Sequence, residues 1–89
     1  MVFVITKQFV DYDYPDNSYT DINSVFEVYP HALERLKDVI EKEMNPNDFN
    51  SQRELEDYIA NHMASDECFI EEDDYHYLEI KITEVEFYY

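Results

Sequence analysis

None of the 89 residues is glycine, and this limits the possible folds more than any motif the chain contains. Glycine alone enters left-handed backbone regions without steric cost, so the turns here must be built from Asn, Asp and Pro. "YPDNS" at 14–18 and "MNPND" at 44–48 supply them. The same absence removes whole classes of chemistry. Phosphate-cradling loops of the Walker or dinucleotide type need glycine for close backbone approach, so neither can exist in this chain.

Between the turn signals the hydrophobic pattern is regular. Residues 2 to 14, VFVITKQFVDYDY, are β-branched and aromatic and read as a strand. Phe3, Ile5 and Phe9 share one face and Val10, Tyr12 and Tyr14 the other, a change of side that suggests a twist or bulge. Residues 21 to 29 alternate through Ile22, Phe26 and Val28 as a second strand, antiparallel to the first. Pro30 suits a helix start, and Leu33, Leu36, Val39 and Ile40 follow helical spacing to about Glu43. "SQRE" at 51–54 fits a capping box. Leu55, Tyr58, Ile59 and Met63 then form the stripe of a second helix that ends near Ala64. Residues 68 to 72 read as a short strand and 77 to 88 as a long one. In the long strand Leu78, Ile80 and Ile82 alternate, and Val85 and Phe87 follow in the opposite phase. That shift predicts a bulge near Thr83 and Glu84. The expected fold is a single α+β domain over residues 1–89. It has an antiparallel sheet of about four strands in the order ββααββ, with both helices on one face.

Charge narrows the partners. Asp and Glu number 22 against six Lys and Arg, a formal net of -16. Nucleic acid and anionic membranes would repel such a surface, which favours a basic partner, a cation or plain solubility. No apolar run approaches the ~20 residues that span a bilayer, and MVFVITKQFV lacks the basic flank of a signal peptide. Cys68 is the sole cysteine, so no internal disulfide can form. It reads as a buried structural residue. A cytoplasmic protein, monomer or homodimer, is the expectation.

The charge is also polarised. Arg35, Lys37, Lys42 and Arg53 fall in the helical third, leaving only Lys7 and Lys81 in the strand regions. "DYDYPDNSYTD" at 11–21 carries Asp11, Asp13, Asp16 and Asp21 with Tyr12, Tyr14 and Tyr19. A second cluster holds Glu71, Glu72, Asp73 and Asp74 with Tyr75 and Tyr77. Residues i and i+2 of a strand stand roughly 6.6 Å apart, close to the about 6–7 Å between neighbouring phosphates of a DNA strand. Asp11 with Asp13, and Glu84 with Glu86, have this sequence spacing. Tyrosine rings beside them offer flat surface and a hydroxyl to Arg or Lys.

A compact acidic chain rich in tyrosine resembles the small phage-encoded DNA mimics, among them anti-restriction proteins and some anti-CRISPR inhibitors. The resemblance lies in composition across the whole chain, and these proteins share no common motif. A second likeness covers residues 2 to 40, where "VFVIT", an acidic Tyr loop, "SVFEVY" and a helix are similar to short accessory proteins of phage genomes. The first resemblance implies an inhibitor that occupies the basic nucleic-acid groove of a host defence protein, such as a nuclease, a restriction enzyme or a CRISPR effector. The thirteen residues of the two clusters would meet that partner. The alternative is an acidic protein-interaction module without mimicry.

Other chemistries fit less well. An EF-hand loop fails at Pro15, Asp16 and Ile22, although "EEDD" at 71–74 leaves weak cation binding open. His31, His62 and His76 fall in separate elements and lack the i, i+4 spacing of a helical zinc site. Glu71 and Glu72 point to opposite faces of a strand, which does not give the paired environments of acid–base catalysis. No catalytic residue, metal or cofactor is expected.

Overall fold

A computed structural model describes residues 1–86. The chain runs β1 (Val2–Asp11), β2 (Tyr19–Phe26), α1 (Tyr29–Glu43), α2 (Gln52–Asn61), β3 (Met63–Ser65), β4 (Cys68–Glu72) and β5 (His76–Val85). All strand pairs are antiparallel, in the order β2-β1-β5-β4-β3. The α+β class holds, with two corrections. The sheet has five strands rather than four, and the order is ββααβββ.

The added strand explains one misplaced residue. Met63 lies four residues after Ile59 and so fits a helical stripe, but α2 ends at Asn61 and Met63 pairs with Phe69 across β3 and β4. Its side chain still reaches the core, now from the sheet.

The bulge also moves. β5 pairs residue for residue with β1, from Val2 opposite Val85 to Asp11 opposite His76, so no shift occurs at Thr83 and Glu84. Val85 turns to the side without helices and is 39% exposed. Phe87 lies outside the described residues. The irregularity falls in the other pair: Ile5 faces Ser24 and Thr6 faces Ile22, leaving Asn23 as the extra residue of β2. The change of side after Phe9 needs no bulge either, because the inward position after Phe9 is Asp11, which is buried.

Ile5, Phe69 and Ile80 on one sheet face are fully covered, together with Ala32, Leu36 and Ile40 of α1, and Leu55 of α2 is buried beside them. Burying each large aliphatic or aromatic side chain contributes about 1.5–3 kcal/mol. Both helices thus pack on the same face. α1 opens with Pro30 in its first turn, where a missing N–H costs nothing, and carries Lys42 in its last turn, where the helix dipole favours a cation. The capping box of α2 is formed with one variation. Ser51 Oγ accepts from the Glu54 N–H at 3.2 Å, while the Glu54 carboxylate reaches back to the N–H of Asn50 at 3.2 Å.

The absence of glycine is met by geometry. Among the described residues no backbone φ is positive. Pro15–Asn17 and Pro46–Asp48 form single 3-10 turns, and Asn45 accepts from the Asn47 N–H at 3.0 Å. Asp11 and Asp73 do the same work at the two hairpin ends.

Candidate functional site

Antiparallel pairing of β1 with β5 sets the end of one beside the start of the other. The loop after β1 (residues 12–18) and the turn before β5 (residues 73–75) therefore meet at one end of the sheet. The Tyr12 N–H donates to the Tyr75 carbonyl at 2.9 Å, which ties the two together. The turns that carry part of each acidic cluster, distant in sequence, thus lie side by side.

Two of its aspartates are used internally. Asp11 is only 8% exposed, and its Oδ1 accepts from the N–H groups of Asp13 and Tyr14 at 3.0 Å each. Its own N–H donates to Ser18 Oγ at 2.9 Å. Asp73 Oδ1 accepts from the N–H groups of Tyr75 and His76 at 2.7 Å each. These backbone hydrogen bonds hold the Asp73 carboxyl below its ordinary pKa, with the His76 ring a smaller contributor.

The strand spacing expected for phosphate-like acid pairs is not realised. β1 ends at Asp11, so Asp13 lies in the loop, and β5 ends at Val85, so Glu86 lies beyond it. Acid density comes instead from convergence of two turns. Asp13, Asp16, Glu72 and Asp74 are exposed there. Tyr14 and Tyr75 are the most exposed aromatic rings among them, at 69% and 58%, and Tyr12 is half exposed. Partial desolvation first, then the neighbouring Glu72 and Asp73 carboxylates, raises the Tyr12 phenol pKa.

The remaining sequence-predicted residues lie off this surface or are engaged. Glu71 faces the helices and accepts a short hydrogen bond from the Tyr58 hydroxyl. Burial and that carboxylate push the Tyr58 pKa up to about 12. Tyr77 faces the other way and donates to Glu79 at 2.6 Å, and this bond, with burial, pushes it to about 12. Asp21 lies further along β2, opposite Lys7. Tyr19 stacks on Phe9 with centroids 5.6 Å apart.

The sheet's two lysines do not neutralise the acidic end. Lys7 Nζ binds Glu43 at 2.5 Å and lies 5.4 Å above the Tyr19 ring. Its partial burial alone would lower the pKa, but Glu43 and Tyr19 raise it overall. Lys81 pairs with Glu79 at 3.2 Å.

No family model, curated protein or solved structure matches the chain.

Among the described residues no group of three or more His, Cys, Asp and Glu side chains is arranged to hold a metal ion. His31 is exposed in the first turn of α1. His62 caps α2, with Nδ1 2.8 Å from the Tyr58 carbonyl, and His76 stacks on Phe9. Cys68 is half-buried rather than buried, and burial first, then Glu79, raises its thiol pKa against the opposing pull of Lys81. No described helix is long and apolar enough to cross a membrane.

What the sequence reading missed is the division of labour within each cluster. Asp11 and Asp73 build turns, while Asp13, Asp16, Glu72 and Asp74 are left to face outward. The signal was present in part: Asp, like Asn, Ser and Thr, has a side chain that bonds to backbone N–H groups two and three positions on.

Proposed function

We propose that this protein competes with nucleic acid for a basic groove on a partner, using the acidic end as a phosphate-like surface. In line with the resemblance in composition, the partner is a host defence nuclease of the restriction or CRISPR type. The observation that carries this reading is the meeting of the two acidic loops at the Tyr12–Tyr75 hydrogen bond. It gathers Asp13, Asp16, Glu72 and Asp74 with three exposed tyrosines while the sheet's lysines are engaged elsewhere.

Concentrated charge of one sign raises the local density of cationic partners and speeds their association. The exposed rings add contact area and a cation–π face for arginine. Asp11 and Asp73 act indirectly, by fixing the two turns that present the other acids.

The test is capture followed by competition. Basic nucleases retained from a host lysate on the immobilised protein are challenged with duplex DNA or with polyglutamate of equal charge concentration. Competition for the groove predicts release by DNA at lower concentration than by polyglutamate. Equal release by both polyanions, or retention in saturating DNA, would contradict it.

A further inference from the structure

α1 buries Ala32, Leu36, Val39 and Ile40, whereas α2 buries Leu55 alone. The shallower seating of α2 leaves an apolar furrow between the helices. A cavity of about 380 Å³ is lined by Leu33, Leu36 and Ile40 of α1, Ile59 of α2 and Met63 of β3. A second, of about 280 Å³, shares Lys37 and Ile59 and continues the furrow to Glu41, Glu56 and Ala60. Along α1, from Tyr29 to Glu41, the furrow runs roughly 18 Å at 1.5 Å per residue, the length of about three helical turns.

Charge decides what fits. Glu41 stands on the α1 bank and Glu56 on the α2 bank, both exposed, and Asp66 closes one end. Lys37 is the cation among them. Acids on both banks of an apolar floor suit a helix with cations on both flanks of an apolar stripe. A fatty carboxylate of the same length would bring its charge against those acids.

We propose that this furrow receives a short basic amphipathic helix of a partner protein. The site is separate from the acidic end, since none of the residues that line it belongs to the loop 12–18 or the turn 73–75. It does not rest on the competition with nucleic acid proposed above.

The probe is a 14-residue synthetic peptide with Leu at i, i+3, i+4 and i+7 repeats and Lys on both flanks. A scrambled peptide of identical composition is its control, since charge attraction alone would bind both. At 0.15 M salt the amphipathic peptide should bind 1:1, about tenfold or more tighter than the scrambled one. Backbone amide shifts should centre on Leu33, Ile59 and Met63 rather than on residues 12–18 and 73–75. Ile59→Ser should weaken binding about tenfold, and so should the paired exposed changes Glu41→Lys and Glu56→Lys, which leave the core intact if Ile59→Ser does not fold. Equal binding of both peptides, or shifts confined to the acidic loops, would overturn the proposal. So would unchanged affinity in the charge-reversed variant, or a furrow that takes dodecanoate but not the peptide.

Discussion

The backbone N–H of Tyr12 donates to the carbonyl of Tyr75 at 2.9 Å, beside the point where Asp11 pairs with His76. This contact closes the loop after the first strand onto the turn before the last. It sets side by side two acidic, aromatic segments that are each unremarkable as turns. Its consequences can be measured residue by residue.

Asp11 is predicted to support the loop rather than a partner. Asp11→Ala leaves the N–H groups of Asp13 and Tyr14 without their acceptor and should cost about 1–2 kcal/mol in urea unfolding. Asp11→Asn keeps an acceptor oxygen and should cost less. Asp13→Asn, at an exposed carboxylate, should change stability little. Equal effects of all three would mean the Asp11 carboxylate does not organise the turn.

Crowded acids predict a fold stabilised by salt. Two like charges ~7 Å apart in water repel by roughly 0.6 kcal/mol, and added salt removes most of it. The melting temperature should rise from low to high sodium chloride. Neutralising Asp13, Asp16, Glu72 and Asp74 together should raise it at low salt and flatten the dependence. A flat response in the unmodified protein would show that the acids do not repel one another appreciably.

The Asp73 turn predicts a pH dependence with a definite sign. Its folded pKa lies below the ordinary 3.8, so the unfolded chain binds its proton first as pH falls. The stabilisation is therefore present above the ordinary value and lost as pH drops through the folded one. Urea midpoints of Asp73→Asn and the unmodified protein should converge across that acid range. A constant difference between them would contradict the assignment.

Tyr58 and Tyr77 should be the late-ionising phenols. Both are raised from 10.0 to about 12, so their hydrogen-bond contribution is complete below pH 10 and is lost as pH rises through about 12. Absorbance titration at alkaline pH should show phenols that ionise in that upper range. Tyr58→Phe and Tyr77→Phe should each remove one. If neither change alters the late phase, the bonds to Glu71 and Glu79 are not what protects the phenols.

The sequence carried local structure well where one pattern dominated. Ser51 and Glu54 marked the start of α2, Leu36, Val39 and Ile40 marked the buried side of α1, and residues 68–72 are β4. It failed where two patterns overlapped or pairing partners were distant. Met63 suits a helical stripe and a three-residue edge strand equally. The out-of-phase Val85 looks like a bulge, but it marks only a strand end turned to the side without helices. The extra residue of β2 at Asn23 becomes visible only against β1. Both acidic clusters were legible as composition. Their union was not, because it depends on β1 pairing with β5 across most of the chain.

The central claim is that Asp13, Asp16, Glu72 and Asp74 together present a phosphate-like surface to a basic groove. The most direct measurement uses a nuclease captured and released by DNA as described above. Its half-inhibitory concentration is compared for the unmodified protein and for the variant Asp13→Asn, Asp16→Asn, Glu72→Gln and Asp74→Asn. Each change keeps side-chain size and spares the turn-forming Asp11 and Asp73. Losing two or more desolvated charge pairs at ~2–5 kcal/mol each predicts a rise on the order of 1,000-fold or more. The Lys37→Ala variant, altered on the helical face, should inhibit like the unmodified protein. A folded quadruple variant that inhibits as well as the unmodified protein would contradict the claim and leave the acidic end as a solubilising surface.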